Sequence, residues 1–312
     1  MLTLRSRVGI GTAPLGSLAD GPLWWGPQDR DEAVATIRAA LDAGIDWVDT
    51  APFYGWGRAE ELVADAVSGR RDGVTILTKC GTVRRADGTW HEDGSPAAVR
   101  ADVESSLRRL RTDHVDALQL HDPDPAVPVE ETVGAMAELV TEGKVRAIGL
   151  SNHPADLLAR GAAIAPISVV QHQWSILHHG PDGDGARAWC RATGAEFLAW
   201  SPLASGFLVD GFDLTRPLRV ISAGGSHGHR ATERFAWRRC VATPRLRGAR
   251  CRTTRCPGSS TRRARSSAPE RRARLAPSPG TGSRARPRRR QRSTAATHRA
   301  IGVIPDVDPD QW

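Results

Sequence analysis

The chain has 312 residues, enough for one large domain or two ordinary ones, and its 40% hydrophobic and 25% charged residues are the proportions of a soluble globular protein, with no stretch near the roughly 18 apolar residues of a membrane span. Met1-Leu2-Thr3-Leu4-Arg5 has no apolar core before a cleavage site and does not read as a secretory signal, and five cysteines without paired spacing argue against a disulfide scaffold and fit a reducing cytoplasm. The net charge of +8 conceals two unlike parts: residues 1–215 hold 19 Lys+Arg against 30 Asp+Glu, a balance of −11, whereas residues 216–300 hold 24 Arg, no Lys and two acids, a balance of +22.

Up to about Leu208 the chain alternates β-rich runs with helical patterns. Val8–Leu15 is a candidate first strand. Asp29, with Glu32 three residues on, opens the first helix in a capping-box arrangement, Val34, Ile37 and Leu41 follow at helical spacing, and Gly44 closes it. Ile45–Thr50 reads as the second strand, Arg58–Ser68 as the second helix and Val74–Cys80 as the third strand. Ser95-Pro96 supplies an N-cap and a first-turn proline, and Val99, Val103, Leu107 and Leu110 form the stripe of the third helix. Val115–His121 is the fourth strand; Val129, Val133, Met136 and Val140 mark the fourth helix, stopped by Gly143. Val145–Leu150, Pro154–Ala163, Ser168–Trp174, Gly185–Thr193 and Glu196–Trp200 complete seven strands and six helical segments.

Strict alternation implies a parallel sheet covered by helices, either doubly wound or a (β/α)8 barrel. Gly9-Ile10-Gly11 has no helix starting at its turn, which a phosphate-cradling fingerprint needs, and carries little weight. A barrel places functional groups at the C-terminal ends of several strands. Asp49, Lys79 and His121 end strands two, three and four; Ser151 and Asn152 follow strand five, Gln171 lies on strand six, and Ser201 follows strand seven. Alternation puts Ile45, Trp47 and Asp49 on one face, and Thr75, Leu77 and Lys79 on another, so each charge tops an apolar column. His172, His178 and His179 lack a third ligand at a strand end, so no metal site is expected.

The ordered set Asp49-Thr50-Ala51-Pro52-Phe53-Tyr54-Gly55, Thr78-Lys79, Leu118-Gln119-Leu120-His121, Gly149-Leu150-Ser151-Asn152, Gln171 and Trp200-Ser201-Pro202-Leu203-Ala204-Ser205-Gly206 resembles the aldo-keto reductases over residues 8–208. The resemblance implies a (β/α)8 TIM-barrel type fold, here incomplete with about seven strands, in a first domain 1–215. It implies NADP(H)-dependent reduction of aldehydes, ketones or sugars, with Tyr54 as acid/base, Lys79 tuning it, Asp49 partnering the lysine and His121 orienting the carbonyl. Each role is chemically coherent. A free phenol is a poor proton donor near neutrality, an ammonium beside it lowers its pKa, a carboxylate keeps the ammonium charged, and an imidazole polarises a carbonyl. By the same resemblance Ser151, Asn152 and Gln171 hold the nicotinamide carboxamide, Trp174 stacks on its ring or else belongs to the core, and Ser201, Leu203 and Ser205 lie along the pyrophosphate. Trp24, Trp25, Phe53, Trp56 and Trp90 fall in loops above the mouth, lining a substrate pocket or packing the loops.

The resemblance stops after Phe207-Leu208. The helix, eighth strand and Gly-x-Arg clamp for the 2′-phosphate of NADPH that it implies have no recognisable counterpart in residues 216–300. An Arg-rich, Lys-free, Pro/Ser/Gly-heavy segment arises either as a basic tail for nucleic acid or as the product of a shifted reading frame in a GC-rich gene. The absence of lysine and the break inside a fold unit favour the frameshift. Residues 216–312 are therefore expected to be a disordered tail, strands one and seven to keep open edges, NADPH binding to be weak and turnover to be little or none. A nucleic-acid-binding protein and a non-catalytic barrel subunit are the rival readings, the intact Asp49/Tyr54/Lys79/His121 set standing against the second.

Overall fold

The computed structural model describes residue 2, residues 4–18, 27–85, 87–204 and 208, and the backbone of 301–302. Seven parallel strands form the barrel wall: β1 (Gly9–Gly11), β2 (Trp47–Asp49), β3 (Thr75–Cys80), β6 (Ala117–Leu120), β7 (Ile148–Ser151), β8 (Ile167–Gln173) and β9 (Glu196–Trp200), neighbours in that order. Between them run α1 (Arg30–Asp42), α2 (Arg58–Val67), α3 (Pro96–Leu110), α4 (Val129–Thr141), α5 (Ala155–Ala162), a short α6 (Gly180–Gly183) and α7 (Ala186–Thr193). This is a (β/α)8-type barrel with one β/α unit missing from the described residues, and the doubly wound alternative falls away. No described helix is long and apolar enough to cross a membrane.

Local signals set several helix ends where the sequence places them. The Asp29 carboxylate accepts from the Glu32 N–H at 2.9 Å and the Ser95 hydroxyl from the Ala98 N–H at 3.3 Å, with Pro96 opening α3. The helices pack a large apolar cluster against the outer face of the sheet, built around Ile37, Leu62, Ile76, Leu118, Met136 and Val170. In α4 the stripe is rotated from the expected one. Leu139 is fully buried while Val140 is exposed, because the apolar arc follows Val129, Val133, Met136 and Leu139 at three- and four-residue steps.

Inside the barrel, Trp47, Leu77, Ala117, Ala147, Val169 and Leu198 form a separate cluster, with Leu2 and Leu4 packed against it. Two residues further along the same strands stand Asp49, Lys79, Gln119, Gly149, Gln171 and Trp200. Period-two alternation therefore lays a polar layer directly on an apolar one, and strand register aligns it: Lys79 lies opposite Gln119, and Ser151 opposite Gln171.

Three expectations are corrected. The first strand is Gly9–Gly11 rather than Val8–Leu15, since Thr12 onward turns away and Pro14 has no N–H for a ladder. A two-stranded antiparallel hairpin, β4 (Thr82–Arg84) with β5 (Trp90–Glu92), stands beyond β3; its short charged strands have no apolar alternation to announce them. The edge of β1 is not open, for β10 (Ile301–Gly302) pairs antiparallel with Gly9 and Ile10. The rest of the expected tail, residues 216–300 and 303–312, lies outside the described residues.

Gly9 serves packing rather than phosphate binding. A Cβ there would lie 2.3 Å from the Trp47 ring, whose Nε1 donates to the Ser6 carbonyl at 2.9 Å. The glycine lets the indole lie against the backbone of β1 and fill the barrel floor. Gly9→Ala is expected to lower stability by about 1–3 kcal/mol through overpacking. A urea melt with an unchanged midpoint would contradict that role.

Candidate active site

The polar layer converges on Lys79. Its ammonium, 1% exposed, donates to Asp49 Oδ1 at 2.5 Å, to the Thr50 carbonyl at 3.1 Å and to the Tyr54 hydroxyl at 3.1 Å. The second carboxylate oxygen, Asp49 Oδ2, accepts from Gln119 Nε2 and Gln171 Nε2, each at 3.0 Å. Each carboxylate oxygen thus has at least one donor, as a buried charge requires. Tyr54 receives a hydrogen bond from Lys79 and so keeps its own O–H proton to give elsewhere.

Tyr54 sits in a tight turn between β2 and α2. Gly55, Trp56 and Gly57 have φ of 62°, 53° and 96°, and a Cβ on Gly55 would meet the Gly16 carbonyl oxygen at 1.9 Å. The left-handed backbone aims the phenol at Lys79, and it needs glycine at residue 55. The edge of the His121 ring meets Tyr54 at 5.8 Å between centroids and Phe53 at 6.0 Å. Thr82, in β4, brings its hydroxyl to 3.4 Å from His121 Nδ1.

The electrostatics follow from burial. Tyr54 is half-buried, and the water it has lost pushes its phenol above its usual 10.0, against the pull of the Lys79 charge. Lys79 acts in the expected sense, lowering the phenol's pKa against the rise that desolvation imposes. Burial also opposes the charge on Lys79, but Asp49 and Tyr54 outweigh it and hold the ammonium above its usual value. His121 falls well below its usual range, first by burial and then by the Lys79 charge, so its imidazole is neutral.

Of the residues expected at the coenzyme, Ser151 is 1% exposed and its Oγ has no partner, directly across from Gln171. That buried orphan hydroxyl, beside an amide oriented by Asp49, fits a ligand group with both donors and acceptors, as a nicotinamide carboxamide has. Asn152 (φ 63°) has a fully engaged amide. It donates to Asp122 Oδ1 at 2.8 Å and the His121 carbonyl at 3.3 Å, and its oxygen accepts from Trp200 Nε1 at 3.0 Å. Trp174 caps the end of β8, with the Arg187 guanidinium 4.5 Å from its ring centroid and its Nε1 bonded to Asp182 at 3.2 Å. Ser201 and Leu203 lie in a turn after β9, with Ser201 at φ 52°, while Ser205 lies outside the described residues. Phe53 gathers Trp56 at 5.3 Å and Trp90 at 5.2 Å into an aromatic rim; Trp24 and Trp25 also lie outside the described residues.

Gln119 is the site residue that sequence reasoning left without a role. It faces inward two residues before His121, and its Cγ would be 2.8 Å from a Cβ on Gly149, so the glycine makes its room. The alternation that singled out Lys79 marks Gln119 as well.

Tyr54 is the chain's only tyrosine, so phenolate absorbance of the folded protein reads it alone. Its midpoint is expected above 10.0, and higher still in Lys79→Met, returning to the ordinary value in urea; an unmoved midpoint in Lys79→Met would dissolve the pairing. Burial also holds His153 down to about 4 from 6.5, its Nδ1 bonded to the Ser151 carbonyl at 2.6 Å. The unfolded chain binds this proton more readily, so stability falls as pH drops from about 6.5 to about 4, by a total of about 3 kcal/mol. Denaturation midpoints across that range should fall less steeply in His153→Asn.

Comparison with known proteins places these residues in a context. The aldo/keto reductase family model matches residues 7–223, some 15 residues further than the resemblance read from motifs. Aldo-keto reductase YhdN of Bacillus subtilis is 40% identical over 173 residues, covering 55% of this chain and 50% of that protein. NADH-specific methylglyoxal reductase of Escherichia coli is 34% identical over 217 residues, 65% of each. The chain thus spans half to about two thirds of the length of these relatives. Among solved structures, glycerol dehydrogenase AKR11B4 from Gluconobacter oxydans superposes with a TM-score of 0.65 at 31% identity, covering 72% of this chain and 69% of that one. An aldo/keto reductase from Klebsiella pneumoniae in complex with NADP and acetate gives 0.54 at 35% identity, with 65% and 66% covered.

Proposed function

The chain belongs to the aldo/keto reductase family, and from that membership we propose that it reduces the carbonyl of a small aldehyde, ketone or sugar, with Tyr54 as the proton donor and NADP(H) as the coenzyme. The observation that carries this reading is the hydrogen-bonded line Asp49–Lys79–Tyr54 beside a neutral His121. The setting is the reducing cytoplasm.

The reaction needs a proton on the carbonyl oxygen as negative charge grows there. When bound, the reduced nicotinamide supplies the hydride. A phenol held above its usual pKa keeps its proton until that charge appears, and then has the Lys79 ammonium at 3.1 Å to stabilise the phenolate left behind. Asp49 holds Lys79 in place and offsets its charge. His121 Nδ1 lies 3.4 Å from the Thr82 hydroxyl, and in the tautomer that carries its proton on Nε2 the imidazole can polarise the substrate oxygen. Ser151 and Gln171 hold the carboxamide, with Asn152 fixed beside them by Trp200 and Asp122. Trp174 offers the ring a flat apolar floor, and Ser201, Leu203 and Ser205 line the pyrophosphate. Phe53, Trp56 and Trp90, with Trp24 and Trp25, form the substrate's aromatic rim.

Coenzyme binding in this chain is weak. The family match ends at residue 223, and the stretch beyond it, which reads as a shifted frame, has no recognisable counterpart of the segment that would grip the 2′-phosphate. Titrating the chain with NADPH and with NADH by tryptophan fluorescence, and following reduction of methylglyoxal as a probe, tests both halves. Slow reduction at high coenzyme is expected, reduced by about 10²–10⁴-fold in Tyr54→Phe. Equal rates in Tyr54→Phe would remove the phenol from the mechanism, and tight NADPH binding with ordinary turnover would refute the impairment.

A further inference from the structure

Glu60 is a carboxylate with no solvent exposure, on the side of the sheet away from the polar layer. Its Oε1 accepts from the Thr78 hydroxyl at 2.7 Å, and its Oε2 from Arg109 Nε at 2.6 Å. Thr78 immediately precedes Lys79 in β3, its side chain pointing outward as that of Lys79 points inward. Glu60 lies in the first turn of α2, next to Ala59, whose N–H donates to the Tyr54 carbonyl at 3.1 Å. The Arg109 stem lies over Gly57, where a Cβ would be 2.4 Å from Arg109 Cδ.

These contacts close a ring. It runs from the Tyr54 carbonyl to Ala59, along the chain to Glu60, across to Thr78, along the chain to Lys79, and from the ammonium back to the Tyr54 hydroxyl. Two of its links are backbone bonds that cannot stretch. The Glu60–Thr78 bond thus ties the start of α2, and with it the Tyr54 turn, to β3 from the outer face, and Arg109 bonds the same carboxylate while its stem covers Gly57. We propose that Glu60, with Thr78 and Arg109, is a positioning residue that fixes the phenol-to-ammonium distance from the far side of the sheet. It rests on the reading of Tyr54 as proton donor, and it concerns a cluster that touches neither substrate nor coenzyme.

A purely structural cluster would affect melting and leave the phenol alone, so the decisive readout is Tyr54 itself. Thr78→Val removes the hydroxyl at constant shape and charge, while Thr78→Ser keeps it. In the full-length chain, with folding checked by far-UV circular dichroism, the Thr78→Val phenolate midpoint is expected to rise by about half a pH unit or more, in the same sense as Lys79→Met, because the ammonium's pull weakens with distance. Thr78→Ser is expected to titrate with the unmodified chain. In turnover, Thr78→Val should lower kcat about tenfold with KM unchanged, as loss of alignment does. Arg109→Lys keeps the charge and the stem over Gly57 but loses the Nε–H that bonds Glu60 Oε2; it should move the midpoint the same way and decides the matter if Thr78→Val does not fold. A folded Thr78→Val or Arg109→Lys whose Tyr54 titrates as before overturns the proposal, as does a Thr78→Ser that behaves like valine. If Lys79→Met itself fails to move Tyr54, the Tyr54–Lys79 pairing is what falls, so the two failures are separable.

Discussion

A lysine ammonium enclosed in a barrel is the constraint on which the rest of this structure depends. Taken out of water without compensation it would lose its charge, since the desolvation of an isolated buried cation far exceeds what packing returns. Here it keeps its charge because Asp49 lies at 2.5 Å and because a carbonyl and a phenol take its remaining donor directions. The requirement then passes outward. Asp49 would itself be under-solvated, and Gln119 and Gln171 satisfy its second oxygen from two other strands. A single buried charge therefore recruits β2, β3, β6 and β8, and the barrel must hold these strands in register for the charge to survive.

The same charge shapes its neighbours in opposite ways. It pulls the phenol down, while burial pushes it up further, leaving a hydroxyl that stays protonated. It and burial act together on His121, leaving a neutral imidazole. One cation thus leaves beside it two neutral groups that each carry a donatable proton, which is the state that protonating a developing alkoxide needs.

Much of this was legible in the sequence because strands report their faces. Trp47 and Asp49, or Leu77 and Lys79, are two residues apart, and period-two alternation is enough to stack a charge on an apolar column. The caps at Asp29 and Ser95 were equally local and equally readable. What alternation does not carry is the sign of a competition. That Lys79 opposes a rise in the Tyr54 pKa follows from their adjacency, but how much water the half-buried phenol loses is set by the packing of several loops, which no local pattern reports. Nor did the sequence reveal the Thr82–Arg84 and Trp90–Glu92 hairpin, whose strands are three residues each and whose pairing is fixed by the turn at Asp87 and Gly88 rather than by apolar pattern. Gln119 escaped notice for a different reason: an inward amide on a strand is ordinary until Asp49 is seen to need a second donor.

Thr78 and Lys79 show what adjacency on a strand makes possible. Consecutive residues face opposite sides, so the pair joins the barrel interior to the helical layer by a single peptide unit. On the inner side the requirement is electrostatic: a cation must meet a phenol at hydrogen-bond distance, here 3.1 Å. On the outer side it is mechanical: α2 must be fixed against β3, and a carboxylate with no solvent exposure, bonded to Thr78 and Arg109, does this more directionally than apolar packing would. An apolar residue in place of Glu60 would fill the same space and spare the desolvation of a charge, yet would leave α2 without its directional bond to β3. Keeping a buried charge there makes sense where the position of the helix, more than its stability, is what the site on the other face requires.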